Sequence, residues 1–287
     1  MIIQNKYADY SANNIGVLDL PVELSPLAVS IVEQYTSVSL TNTKKAAINN
    51  FLQTLQTEGI YSKINMLLIP LFASSVNEAY LDVINQDATM VKMSSSVDNY
   101  ETSNITLGTY GIRQTSQPTD NNMAPGKNHK TFTTSMSKFS IVHIKESGSF
   151  CLGNVGPSNL VTEWFCNSGS ASLRAGNSTN GIDITHTWTV GNDYSEVITY
   201  TIGSDLSSSN FFDFINGVKQ DITVHGTKSV SADINAHKIC PFFPTASSSN
   251  KWNKNEVAVW GTASGLTESE SQKLSNALKA FIAAYFA

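Results

Sequence analysis

The sequence predicts a mainly β chain: an antiparallel jelly-roll β-sandwich with an N-terminal helical region and a C-terminal helix. Three observations carry the prediction. Ile182, Ile184, His186, Trp188 and Val190 alternate with Asp183, Thr185, Thr187 and Thr189, the period of two of a strand with one wet face. Phe211-Phe212-Asp213-Phe214-Ile215 is followed by Asn216-Gly217-Val218-Lys219, and Asn-Gly between apolar runs is a strong hairpin signal because both residues tolerate positive φ. Short alternating segments separated by turns continue from about 90 to 260, among them Phe139 to His143, Leu160 to Cys166 and Val197 to Ile202, as a sandwich or barrel requires.

The flanking zones read differently. A short helix is expected after Pro26, since proline suits a first helical turn. Beyond Thr43, Ile48, Phe51, Leu52 and Leu55 form one apolar stripe, and Gly59 supplies a C-terminal stop. Ile60 to Ile64 and Asn65 to Tyr80 are strongly apolar and read as further short helices under a larger body. At the far end Thr267-Glu268-Ser269-Glu270 is a capping box, followed by the stripe Leu274, Ala277, Leu278, Phe281, Ile282 and Tyr285. The expected division is residues 1–90 as a docking and assembly region and 91–287 as the sandwich with its closing helix.

Composition narrows the function classes. Of 287 residues 41 % are hydrophobic and only 14 % charged, while Ser, Thr and Asn supply 90, a surface suited to close packing in assemblies. The net charge of -5, from 18 Lys and Arg against 23 Asp and Glu, gives no basic patch for nucleic acid. No apolar run approaches the ~20 residues of a membrane span, and Met1 to Tyr10 lacks the basic-then-apolar pattern of a signal peptide, so synthesis in a cytoplasm is expected. Cys151, Cys166 and Cys240, odd in number and irregular in spacing, read as buried free thiols.

The candidate chemistry is thin. Glu163 stands alone, Asp193 and Glu196 are read as flanking a turn and Asp213 as part of the hairpin, all of them as solvated carboxylates without the pairing that glycoside hydrolysis needs. His129, His143, His186, His225 and His237 show no metal-ligand spacing, and His186 reads as a core histidine. Isolated acids such as Asp82, Asp87 and Asp233 leave calcium open without defining a loop for it, and no cofactor is expected. Trp164, Trp188 and Trp260 fall inside strand patterns. Trp252, in the polar loop Ser247 to Asn255, is the candidate for stacking on a sugar ring or a partner. Ile2, Ile3, Ile15, Val17, Leu18 and Leu20 lie in short apolar pieces without periodicity, and are the candidate assembly and docking residues.

Two stretches resemble one family. Asn42 to Ile64 followed by Leu81-Asp82-Val83-Ile84-Asn85, and Glu256-Val257-Ala258-Val259-Trp260-Gly261 followed by Gly265-Leu266-Thr267-Glu268-Ser269-Glu270 and the stripe to Tyr285, resemble the two ends of tailed-phage virion accessory proteins. These are head-fibre, decoration or tail-fibre-like proteins with a concanavalin-like, laminin-G-like lectin domain. Phe214 to Val218 resembles the hairpin common in such sandwiches, and Tyr10 to Gly16 resembles the opening of head-fibre proteins. The resemblance implies a virion component that displays a lectin-like domain to glycans, with capsid or tail proteins as partners and a homotrimer as the favoured state. Charge and apolar runs already argue against a nucleic-acid or a membrane partner, and the resemblance implies no catalytic residue, so a non-enzymatic chain is expected. A carbohydrate-binding module of a cell-surface protein and a glycan depolymerase are the alternatives.

Overall fold

The computed structural model describes residues 21–36, 38–91, 99–100, 102–116, 122–123, 127–128, 135–146, 153–155, 161–167, 170–175, 181–184, 186–201, 209–225, 238–242 and 254–287. Four α-helices are described, α1 (Pro26–Val32), α2 (Asn42–Thr57), α3 (Val76–Ala79) and α4 (Glu268–Tyr285), with short 3-10 turns at Tyr61–Lys63 and Pro70–Phe72. The first strands are β1 (Ile64–Leu68), β2 (Asn99–Tyr100), β3 (Ile105–Gly108), β4 (Gly111–Gln114), β5 (Asn122–Met123), β6 (Lys127–Asn128) and β7 (Ser135–His143). Then follow β8 (Gly153–Val155), β9 (Val161–Asn167), β10 (Ser170–Ala175), β11 (Gly181–Ile184) and β12 (Asp193–Thr201). The last are β13 (Phe211–Ile215), β14 (Val218–Lys219), β15 (Ile222–His225), β16 (Lys238–Cys240) and β17 (Glu256–Ser264).

The fold is a mainly antiparallel β-sandwich with a helical layer on its outside. The larger sheet runs β14-β13-β12-β7-β17-β4-β3, with β1 paired to β17 as well; the smaller runs β15-β11-β10-β9-β8-β16-β6. The larger sheet is a middle layer, because alternate residues of its strands feed two different cores. Phe139, Ile141, Val197 and Val259 pack with Phe51, Leu55, Leu274, Leu278 and Phe281 of α2 and α4. Met136, Val142, Ile198, Tyr200, Phe211 and Trp260 face the other way, with Ile184 of the smaller sheet in the same cluster. Residues on both sides of position 90 share this body: β1 pairs with β17, Ile64 opposite Ala263, and Phe51 stacks on Phe281 at 4.9 Å.

Local signals explain the elements. Ser25 caps α1 with Pro26 in its first turn, and Thr41 caps α2. Gly59 adopts φ +69 just past the end of α2. The capping box on α4 is complete: Glu270 N–H donates to Thr267 Oγ1 at 3.2 Å and Thr267 N–H donates to the Glu270 carboxylate at 2.8 Å. Asn216 and Gly217 adopt φ +52 and +80, the two positive values of a type I′ turn.

Two expectations are corrected. Ile64 to Leu68, read as helical, is strand β1, because its apolar residues fill both faces of a sheet covered on each side. The alternation at 182–190 is not one strand: β11 stops at Ile184, and His186 to Val190 crosses to the larger sheet, leaving Val190 54 % exposed.

A seam of small polar groups fixes α4 on the larger sheet. Ser137 Oγ lies 2.7 Å from Thr199 Oγ1, which lies 2.9 Å from Ser271 Oγ. Ser195 Oγ donates to the Ser275 carbonyl at 2.8 Å. The hairpin joins the seam: Gly217 N–H donates to Ser275 Oγ at 2.9 Å, and Gln272 Nε2 donates to the Gly217 carbonyl at 3.0 Å. A Cβ on residue 217 would collide with the Asn276 side chain. Gly217→Val therefore strains the turn and lifts α4, and should lower unfolding free energy by more than ~1 kcal/mol in chemical denaturation; an unchanged midpoint would rule out this contact.

Candidate functional site

The inner face of the larger sheet carries a group of polar side chains where its neighbours are apolar. Cα pairing places Asp213, Ile198, Lys138 and Thr262 in one row across β13, β12, β7 and β17. The next row holds Ile215, Glu196, Ser140 and Trp260. Glu196 is thus directly opposite Ser140 and diagonal to both Asp213 and Lys138, a spacing of roughly 7 Å between strand neighbours. Glu196 is 2 % exposed and Asp213 0 %, with Lys138, Ser140 and Thr262 also buried.

The acids and hydroxyls among them are not satisfied as other buried acids in the fold are. Glu256 is equally buried, but Lys145 Nζ donates to it at 2.7 Å and the Tyr110 N–H at 2.7 Å. Asp82 accepts the Leu67 and Ile84 N–H groups, each at 3.1 Å. Both carboxyl oxygens of Glu196, both of Asp213, Ser140 Oγ and Thr262 Oγ1 have no hydrogen-bond partner. An unpaired carboxylate in such a place costs several kcal/mol, so it resists ionisation. Burial pushes the Glu196 carboxyl well above its ordinary range, and the neighbouring Asp213 charge raises it further. Burial does the same to Asp213; the Phe214 N–H lies near without completing a hydrogen bond and offsets only part of the rise. Burial pushes the Lys138 ammonium down to about 7, with Nζ 5.9 Å from the centre of the Tyr200 ring.

The reading of Glu196 and Asp213 as solvated is therefore corrected, as is that of Asp193 and Glu196 as flanking a turn. Both of the latter lie within β12, and Glu196 falls in the inward register with Tyr194, Ile198 and Tyr200. Asp213 shares its register with Phe211 and Ile215. That alternation is the signal sequence reasoning missed. His143, read only as lacking metal-ligand spacing, lies 2.9 Å from Asp193 and stacks on Tyr110 at 3.7 Å. His186 packs edge-on against Trp188 and Tyr194, at 4.7 and 5.4 Å. Trp260 is fully buried. Trp252, Cys151, His129, His237, Asp233 and the assembly residues Ile2, Ile3, Ile15, Val17, Leu18 and Leu20 lie outside the described residues. Among the described residues no group of three or more His, Cys, Asp or Glu could hold a metal ion.

No protein-family model matches the chain, and no curated protein is similar to it. Solved structures with a similar fold include a Trypanosoma rangeli sialidase, 12 % identical, with a TM-score of 0.46, covering 83 % of this chain and 40 % of its own. Domain 4 of an extracellular arabinanase from Geobacillus stearothermophilus is 12 % identical, with a TM-score of 0.45, covering 74 % of this chain and 98 % of its own. The galectin LEC-6 of Caenorhabditis elegans is 11 % identical, with a TM-score of 0.34, covering 52 % of this chain and 93 % of its own. The chain spans well under half of that sialidase, and at these scores no activity or ligand passes from any of them to it. The expectation of a non-enzymatic chain is corrected at its premise: the neighbouring carboxyls whose absence supported it are present at Glu196 and Asp213, diagonal on one face and electrostatically linked.

The raised carboxyls give a signed pH dependence. A carboxyl that binds its proton more tightly when folded contributes fully below its unfolded value, about 4, and loses that contribution as pH rises through the folded value. Lys138, held near 7, stays protonated in both states below about pH 6.5 and does not enter there. In chelator, the advantage of Glu196→Gln/Asp213→Asn over the native chain should grow from pH 4.5 to 6.5 by over ~1 kcal/mol in denaturant titrations. A constant difference would show the pair to be solvated.

Proposed function

We propose that the chain is an accessory subunit of a tailed-phage particle that presents its lectin-like sandwich to host or mucosal glycans. One observation supports this most: the two stretches that carry the resemblance, 42–64 and 256–285, form a single packed unit. β1 pairs with β17, α2 stacks on α4 through Phe51 and Phe281, and Lys63 Nζ donates to the Glu270 carboxylate at 2.7 Å. A likeness at two distant ends of a chain gains weight when both ends belong to one structural element. The low charge suits subunits in close contact. On this reading Ile2, Ile3, Ile15, Val17, Leu18 and Leu20 serve attachment to capsid or tail proteins, the subunit is a homotrimer, and it resides in the virion after synthesis in the host cytoplasm.

A second reading, glycan hydrolysis, is favoured by the Glu196 and Asp213 pair, since such chemistry uses two carboxyls on one face with one held protonated. Their burial means that substrate reaches them only through an opening between the sheets.

Antibody labelling of purified particles tests the first reading, together with a glycan array probed with the purified chain. Label on intact particles and saturable binding to at least one glycan are expected. Absence of the chain from particles would overturn the virion role. Release of reducing sugar that Glu196→Gln abolishes would establish the second reading.

A further inference from the structure

We propose that Glu196, Asp213 and Ser140 hold a calcium ion between the two sheets. The argument begins with what these groups lack. Four carboxyl oxygens and the Ser140 hydroxyl are fully buried, belong to directly opposite or diagonal positions on the inner face, and have no hydrogen-bond partner. Buried polar groups in folded proteins are as a rule paired, and two neighbouring acids left bare on all four oxygens call for a ligand of their own. The same fold satisfies Glu256 with Lys145 and the Tyr110 N–H, so burial of an acid here does not by itself leave it bare.

The chemistry of the patch selects the occupant. The unpartnered atoms of Glu196, Asp213 and Ser140 are all oxygens, which suits a hard cation and not zinc or copper. Two carboxylates neutralise one divalent charge, and Lys138, already pushed down to about 7 by burial, would be neutral beside a bound cation, so the filled site would add no net charge to an apolar interior. The two carboxyls interact electrostatically, as neighbours that could share one ion do. Oxygens on opposite sides of a calcium ion are separated by roughly twice its 2.3–2.6 Å bond, up to about 5 Å. Two bidentate carboxylates and one hydroxyl supply five donors, short of the 6–8 that calcium takes, and carbonyl or water oxygens would complete the set. Ser140 gives an independent pointer. It sits directly opposite Glu196, is fully buried, and is a hydroxyl with no other use on its face of β7.

The test uses the full chain stripped with EDTA and returned to ~2 mM CaCl2. Ligand that binds only the folded state raises its stability by mass action. The midpoint of thermal unfolding should rise by several degrees in the native chain and by none in Glu196→Gln/Asp213→Asn, with about one calcium per native chain retained after dialysis. Terbium should bind in place of calcium and emit on excitation of Trp260, which is paired with Ser140, and calcium should quench that emission. Ser140→Ala, which removes a neutral donor and no charge, should stay folded and weaken calcium binding about tenfold. That variant keeps the test open if the double variant does not fold. A native chain whose midpoint ignores calcium, or a calcium shift that survives in Glu196→Gln/Asp213→Asn, overturns the proposal; in the first case the pair holds protons instead.

Discussion

Strand β12 has to satisfy two unlike surroundings at once, and the rest of the structure follows from how it does so. Its odd-numbered residues, Ser195, Val197 and Thr199, meet α4, and its even-numbered residues, Tyr194, Glu196, Ile198 and Tyr200, face the second sheet. On the helical side the contact is partly polar. Ser271 and Ser275 lie on the buried face of α4, where Leu would be expected, and complete hydroxyl chains with Ser137, Thr199 and Ser195. A buried hydroxyl left without a partner costs about 1–3 kcal/mol, so α4 cannot shift by a residue without orphaning several. Small serines also let the helix approach closely, which brings Phe281 onto Phe51 and Tyr285 within 5.9 Å of Phe72. The position of α2 is thereby set from α4.

Much of this was legible in the sequence because the determinants are local. The capping box at Thr267, the proline at the start of α1, Gly59 after α2 and the Asn216-Gly217 turn each need only neighbouring residues, and each stands where the pattern placed it. What was misread depends on a layer the sequence does not announce. Ile64 to Leu68 is apolar on both faces because a helical layer covers the larger sheet, and a run of that length cannot be told from a helix by periodicity. The break after Ile184 was missed because the crossing segment keeps the alternation of the strand it leaves. Glu196 and Asp213 were judged by residue type, which favours solvent, when their register among Tyr194, Ile198, Phe211 and Ile215 already placed them inside.

The two sides of the larger sheet treat polarity in opposite ways. Toward α4, hydroxyls and amides pair with one another and the helix is locked in place. Toward the second sheet, acids and hydroxyls sit among apolar neighbours without partners, close to the pattern that marks a functional site rather than a structural one. A fold that gives Glu256 and Asp82 complete sets of donors has the means to satisfy Glu196 and Asp213 too, and does not. The rigid outer layer gives the inner patch a fixed platform, since β12 and β13 carry both the seam and the two acids.

Native-state hydrogen exchange under rising denaturant measures the central claim, that the helical layer and the larger sheet are one cooperative body joined through the seam. Amides of α2, α4, β1, β7, β12 and β17 should exchange only through a common opening, with one free energy and one denaturant dependence. Amides of α4 and α2 that exchange through a smaller opening, while β7, β12 and β17 stay protected, would contradict it and show the helices to be an appended layer.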